Sequence, residues 1–183
     1  MLRKNFLFEL MQNGQIKIDD AGHIIGFNEY IFLLPSGDVL KLRELLEKSL
    51  GPDKADKIMK EVGKFQVEAA AKRYTKNLGI EKLSKIRLME FTYNIINILG
   101  WGLVNIDNLS LEEKTAHITL KQGALALKYR QIYQKKSDRP IDFWLAGILE
   151  KHFSVILKTE VEVIEKKCLA MGHPVCEFVM KPK

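Results

Sequence analysis

The 183-residue sequence has few of the features that mark secreted or membrane-spanning proteins. It contains only two cysteines and no N-terminal apolar signal, so a secreted, disulfide-stabilised fold is not expected. Its densest apolar stretch, residues 91–101, is far shorter than the roughly 20 residues that cross a bilayer. We therefore expect a cytoplasmic protein with reduced thiols and no membrane span.

The sequence also lacks the motifs of common cofactors and of nucleophilic hydrolysis. It has no glycine-rich phosphate loop, no Ser/His/Asp order and no nicotinamide or flavin fingerprint. We therefore expect no catalytic residues and no enzymatic activity. The net charge is +6, but the 29 Lys+Arg residues are spread along the chain, which is typical of a solvated surface. We expect no direct nucleic-acid partner.

Hydrophobic spacing predicts an α+β protein, with helices in the first half and an antiparallel sheet assembled mostly in the second. A short helix is predicted at residues 3–12, a hairpin at 16–26 and a β-rich run at 30–34. The other predicted helices cover residues 38–50, a segment from Asp53 as its cap to Gly79, then 82–98, 122–135 and 141–157. The predicted strands of the main sheet cover residues 101–106, 115–120, 159–168 and 174–180.

Two of these predictions carry more detail. The helix at 82–98 has apolar residues on most of its faces, so we expect it to be largely buried. The segment 1–27 carries four apolar side chains that are costly to expose, Phe6, Leu7, Leu10 and Met11. We interpret residues 1–27 as a possible dimer arm.

The two cysteines lie on either side of a predicted turn near the C-terminal end. In a hairpin, Cys168 and Cys176 would face each other and could share a tetrahedral ion at a Zn–S distance of about 2.3 Å. Glu165 and His173 each lie three residues before one of them. The same pair also fits buried small apolar residues, a disulfide across the hairpin, or a catalytic thiol.

Aromatic residues are concentrated between residues 91 and 153. They either line an apolar pocket or fill the core. The residues concerned are Phe91, Tyr93, Trp101, Phe143, Trp144 and Phe153. Tyr93 and Trp101 are favoured as cavity residues, because each brings a polar atom that needs a partner when buried.

The segment Glu165-x-x-Cys168-x-x-x-Gly172-x-x-x-Cys176-x-Phe178 resembles the closing signature of the 4-vinyl reductase-like small-molecule-binding domain. Upstream, Arg139-Pro140-Ile141-Asp142-Phe143-Trp144-Leu145-Ala146-Gly147 is similar to the family's Pro-x-Cys segment, which precedes a helix that opens with Ala-Gly. Leu50-Gly51 and the helix through Gly63 are similar to its first half. The resemblance covers roughly residues 28–180.

The resemblance implies one α+β domain, here residues 28–183, like those of TRAPP tethering subunits and of aromatic-responsive activators. It also implies an apolar ligand cavity, for which Tyr93, Trp101, Phe143 and Trp144 are the candidate residues. In the sensor domains a structural zinc ion lies beside this cavity. Its ligands there are an upstream Cys, a Glu and two tail Cys. Glu165, Cys168 and Cys176 match three of them in type and order.

The fourth ligand departs from the family pattern, because Asp142 stands where the upstream Cys would be. Aspartate binds zinc through oxygen at about 2.0–2.2 Å, so we expect Asp142 to complete the site. His173, His152 or an empty site are the alternatives. Three nearby cations are expected to offset the excess negative charge: Arg139, Lys166 and Lys167.

These observations favour a sensor-like domain that binds a small apolar or aromatic ligand and acts through a homodimer or another partner. A second hypothesis is a non-catalytic interaction or scaffold protein whose cavity is filled by its own side chains. An enzyme accessory protein is the third.

Overall fold

A computed structural model describes residues 6–183, and its element order is that of the predicted α+β fold. The helices are α1 (Phe6–Gln12), α2 (Ser36–Leu50), α3 (Pro52–Leu78), α4 (Lys85–Ile98), α5 (Ala124–Tyr133) and α6 (Phe143–Leu157). The strands are β1 (Ile16–Ile18), β2 (Ile24–Gly26), β3 (Glu29–Ile31), β4 (Leu103–Ser110), β5 (Thr115–Lys121), β6 (Val161–Lys167) and β7 (Cys176–Pro182). Short 3-10 turns lie at Ile80–Lys82 and Leu169–Met171. Within residues 6–183, every helix is too short or too polar to cross a bilayer.

The main sheet is antiparallel and has the strand order β4-β5-β7-β6, so it is assembled from the second half of the chain, as predicted. Alternate residues of its strands face the helices. Ile118 lies opposite Phe178 and Leu120 lies opposite Cys176, and all four are fully buried. A smaller sheet, β1-β2-β3, precedes α2.

The predicted helix starts and one burial prediction need correction. Asp53 does not cap α3, because Pro52 occupies the first helical position, which its fixed φ suits, and Gly51 is the cap. Helix α4 begins at Lys85, since the Ser84 side chain accepts a hydrogen bond from the Arg87 N–H. The expectation that this helix is largely buried is wrong: one face is buried, whereas Ile86 is 61% exposed.

The N-terminal segment packs on the rest of the chain. Leu10 of α1 and Phe27 lie in one apolar cluster with Tyr74 of α3 and Ile95 of α4. Residues 3–5 of the predicted first helix lie outside the described residues. In the β-rich run, only residues up to Ile31 form a strand.

Two glycines allow a close contact between α3 and α6. A Cβ at Gly63 would clash with the backbone oxygen of Trp144, and a Cβ at Gly147 would clash with that of Lys60. The backbones therefore approach closely enough to set the position of α6, which is buried along most of its length.

Glu150 connects α6 to three other parts of the chain. Its carboxylate is 2% exposed and accepts hydrogen bonds from the Lys60 Nζ at 2.7 Å and the Val163 N–H at 3.0 Å. Lys64 and Lys183 contact its other oxygen at 3.0 and 3.1 Å. Burial alone would raise the pKa of Glu150, but the bonds from Lys60 and Val163 lower it to about 2.

We predict that Gly147→Ala destabilises the protein by about 2–3 kcal/mol, because the added methyl forces two backbones apart. Gly37→Ala in α2 is the control, since its Cβ would meet only the flexible end of Lys128 at 3.4 Å. The control should be neutral or slightly stabilising. Urea unfolding measures both, and equal midpoints for the two variants would contradict the close-contact argument.

We predict that Glu150→Gln lowers the free energy of unfolding at pH 7 by up to about 3 kcal/mol, which corresponds to a pKa change from 4.5 to about 2. A lowered folded-state pKa stabilises above pH 4.5, and this contribution is lost as the pH falls towards 2. Unfolding of both proteins between about pH 7 and pH 2.5 should therefore show a shrinking difference. Glu68→Gln, at an exposed ion pair with Lys151, is the control with little effect.

Candidate metal centre and apolar groove

Four acidic side chains meet where the N-terminal end of α6 contacts the β6–β7 hairpin. Asp142 is the residue before α6, Glu165 lies in β6, Cys168 follows β6, and Cys176 begins β7. One potential ligand atom from each lies within 4.8 Å of the others, and all four side chains are buried. The structure therefore brings together the four residues that the sequence suggested as metal ligands.

The hairpin positions the two cysteines through its register. Lys167 of β6 pairs with Glu177 of β7, so Cys168 and Cys176 come next on either side of the turn. A β-bulge between Glu165 and Lys167 changes the strand alternation, which leaves Glu165 and Cys168 buried while Lys167 is exposed. The 3-10 turn after Cys168 then closes the loop.

The distances in this cluster match those of a tetrahedral ion. The Sγ atoms of Cys168 and Cys176 are 3.8 Å apart, and the Cys176 Sγ lies 3.5 Å from the Asp142 Oδ2. With Zn–S bonds of about 2.3 Å and Zn–O bonds of about 2.0 Å, a tetrahedron has S–S and S–O separations of about 3.8 and 3.5 Å. Both thiols are free, so the hairpin is not closed by a disulfide.

Backbone groups hold the ligand side chains in place. The Asp142 N–H donates to the Glu165 Oε2 at 2.9 Å, and the Leu169 N–H donates to the Cys176 Sγ at 3.3 Å. The remaining oxygens, Asp142 Oδ1 and Glu165 Oε1, are buried and accept no hydrogen bond within the described part of the chain. Buried polar atoms normally have partners, so two orphaned oxygens beside two thiols indicate room for a cation.

Protonation equilibria show the electrostatic cost of this cluster in the protein alone. Burial, followed by the nearby Glu165, raises the pKa of Asp142 well above its usual range. Burial, followed by Cys168, raises the pKa of Glu165 to about 9. The hydrogen bond with Cys176 lowers the pKa of Cys168 to about 7, and the same bond and burial raise the pKa of Cys176. A bound cation would relieve the mutual repulsion of these groups.

The cations expected to balance the cluster lie elsewhere. Lys166 is exposed, because the bulge turns it outward, and Lys167 pairs with Glu177 at 3.0 Å. Arg139 instead contacts Asp56 of α3 at 2.5 Å.

Sequence reasoning missed Arg43, which is the basic residue that acts on the site. It is buried in α2, where it pairs with Glu47 at 2.7 Å and with Asp56 at 3.1 Å. Its charge acts to lower the pKa of Asp142, against the stronger effect of burial. Arg43 lies far from Asp142 along the chain, in an amphipathic helix, so only its burial, which is rare for an arginine, could have marked it.

Neither histidine considered as an alternative ligand belongs to the four-residue group found within residues 6–183. The His152 Nδ1 lies 3.3 Å from the Thr92 Oγ1, between α4 and α6. Burial lowers the pKa of His152 to about 4, so it is neutral at physiological pH. His173 lies in the turn, where its backbone N–H donates to the Cys168 carbonyl oxygen.

A small cavity and a larger groove lie on either side of the same wall, formed by α4 and β4. The inner cavity, of about 10 Å³, is large enough for about one water molecule. The outer groove, of about 740 Å³, runs between α4 and β4 and is mostly apolar. Met89, Tyr93 and Ile106 line both spaces. The Tyr93 hydroxyl donates to the Asn105 Oδ1 at 3.4 Å.

Of the four residues expected to line a ligand cavity, Tyr93 lines this cavity and this groove. Trp101 and Trp144 pack against each other, with ring centroids 6.0 Å apart. The Trp144 Nε1 donates to the Gln66 Oε1 at 2.8 Å. Phe143, like both tryptophans, packs against the main core, and none of the three lines either space.

The sequence comparisons agree with the predicted resemblance. The model of the vinyl-4-reductase domain family matches residues 132–182, which include all four candidate metal ligands. The bacteriochlorophyll synthase 23 kDa chain of Cereibacter sphaeroides is 39% identical over 49 residues. That match spans 27% of this chain and 24% of the length of the relative.

Solved structures with the same fold cover nearly the whole chain. The phenol-responsive sensory domain of the transcription activator PoxR, solved with phenol, has a TM-score of 0.80 and 17% identity over 97% of this chain and 90% of that one. A trafficking protein particle complex subunit 3 from Naegleria fowleri, covalently bound to palmitic acid, has a TM-score of 0.56 and 15% identity, covering 81% and 90% of the two chains. The predicted resemblance to the 4-vinyl reductase-like, TRAPP and activator sensor domains is confirmed, and these likenesses establish the fold.

Proposed function

We propose that this protein is a non-catalytic, sensor-like domain that binds a small apolar or aromatic molecule and acts through a second copy or another partner. The observation that carries the proposal is the apolar groove beside Tyr93, within a fold whose structural neighbour is a phenol-responsive sensory domain. Tyr93 and Asn105 provide polar atoms at the edge of the groove, which suit a ligand with one hydroxyl or carbonyl group.

The proposal includes a structural zinc ion held by Asp142, Glu165, Cys168 and Cys176. Two thiolates favour zinc over Mg²⁺ or Ca²⁺, and four protein ligands leave no open position for a substrate water. The ion would join the start of α6 to the β6–β7 hairpin. Because two of its ligands are thiolates, we place the protein in a reducing compartment such as the cytoplasm.

One observation favours a second candidate, a scaffold or accessory protein without a ligand. The enclosed cavity between α4 and α6 holds only about 10 Å³, so the interior itself is filled by side chains. One structural neighbour is named as a subunit of a trafficking protein particle complex, and the curated relative is named as one chain of a synthase. A retained ligand separates the two functions.

We predict that the purified protein binds about one zinc ion per chain and that Cys176→Ser loses it. Its melting temperature should fall by about 10 °C or more, because a few kcal/mol of stability disappear with the ion. Elemental analysis and thermal unfolding measure these effects. His173→Gln is the control, because His173 lies outside the ligand group, and it should keep the metal.

A Co²⁺ titration of the chelator-treated wild-type protein tests the same site without relying on a variant that folds. A thiolate-to-cobalt charge-transfer band is expected, and zinc should displace it. A metal-free wild type that shows no such band would remove zinc from the proposal and leave the ligand groove as a separate question.

For the ligand, we predict that native mass spectrometry of freshly purified protein shows a retained apolar mass, or that the empty protein binds added phenol. Ile106→Glu and Tyr93→Ala should weaken phenol binding at least about tenfold, since both line the groove. Tyr133→Ala, a tyrosine remote from the groove, is the control. A clean mass and no phenol binding in titration calorimetry would instead support the scaffold function.

A further inference from the structure

A strongly exposed apolar segment of the chain is the run at residues 30–34, which follows the hairpin and precedes α2. Tyr30, Phe32 and Leu33 are 69%, 79% and 81% exposed. Because successive side chains of an extended segment point to opposite sides, both faces of this run are apolar. A surface of this kind on a monomer is unusual and marks an interaction site.

The backbone at this segment is also open. Strand β3 pairs with β2 through Ile31 and Ile24, and it is an edge strand of the small sheet. Within residues 6–183, no strand lies on its other side. An edge strand without charged side chains or proline within it is a template for another strand, and only Glu29 at its start is charged.

A second exposed apolar surface lies on α3, and we call it the α3 stripe. Ile58, Val62 and Phe65 follow one another at helical spacing, Phe65 is 71% exposed, and the three line an open groove of about 410 Å³. Lys57 and Glu61 flank this stripe with opposite charges, so a copy of the same stripe would not be repelled.

The run is attached at both ends to the helix that carries the stripe. Glu29, just before the run, pairs with Arg73 of α3 at 3.1 Å. Helix α2 begins directly after the run and packs against α3, where Arg43 and Asp56 form an ion pair. The two apolar surfaces are therefore held by the same pair of helices.

We propose that the run and the α3 stripe form the interface with a second copy of this chain. Each copy pairs its β3 edge antiparallel with that of its partner and lays its run against the partner's stripe, which is an isologous arrangement. This proposal specifies the association that the proposed function requires, and it rests on that function for its purpose.

Two observations favour a second copy as the occupant. An open edge needs a strand and an apolar stripe needs apolar side chains, and this one chain supplies both. The exposed side chains of the run and the stripe offer roughly 800 Å², taking about 150–250 Å² for a large aromatic side chain. A stable dimer buries about 800 Å² per partner.

Light scattering coupled to size-exclusion chromatography of the full chain is the test. The expected mass is twice the 21.1 kDa of one chain at micromolar concentration. Leu33→Glu and Phe65→Glu should each raise the dimer dissociation constant at least about tenfold, because each would bury a carboxylate in an apolar contact. Leu127→Glu, at an exposed apolar residue of α5, is the matched control and should remain dimeric.

A wild type that stays monomeric at about 100 μM would overturn the proposal without using any variant, and so would a dimer that survives both substitutions. Zinc content and phenol binding are measured on the same samples. A monomer that keeps both refutes the interface and leaves the proposed function intact. A dimer that lacks both supports the interface and refutes the proposed function.

Discussion

The physical constraint on which this structure depends is the meeting of four buried acidic groups at the start of α6. Asp142, Glu165, Cys168 and Cys176 come from two segments that are distant in sequence, and all four side chains are buried. Such a cluster is costly unless its groups are protonated or share a cation. The raised pKa values of Asp142 and Glu165 express this cost. A thiolate pair with two carboxylates at tetrahedral spacing is an arrangement that a zinc ion stabilises.

Helix α6 carries this constraint into the rest of the protein. Its N-terminal end adjoins Asp142, its middle crosses α3 at Gly147, and Glu150 ties it to β6 through the Val163 N–H. The same helix forms one wall of the inner cavity through Leu149. A change at the metal centre therefore reaches the apolar interior through one rigid element.

Local pattern was enough to predict part of this protein from its sequence. The β6–β7 hairpin and the order of helices followed from hydrophobic spacing, whereas the cap of α3 depended on whether Pro52 lay inside the helix. The burial of α4 was overestimated, because apolar residues such as Ile86 face an open groove that only tertiary structure creates. Asp142 came from a family pattern. Arg43 could not be predicted, since its effect on Asp142 arises only when distant segments come together.

The β-bulge between Glu165 and Lys167 makes the length of this hairpin more restrictive than its composition. In a regular strand, residues two apart share a face, so Glu165 and Cys168 would lie on opposite sides. The one additional residue is what lets both face inward. Insertion or deletion of a single amino acid here would thus rotate one donor into solvent, while most replacements at the outward-facing Lys166 would leave the ligands in place.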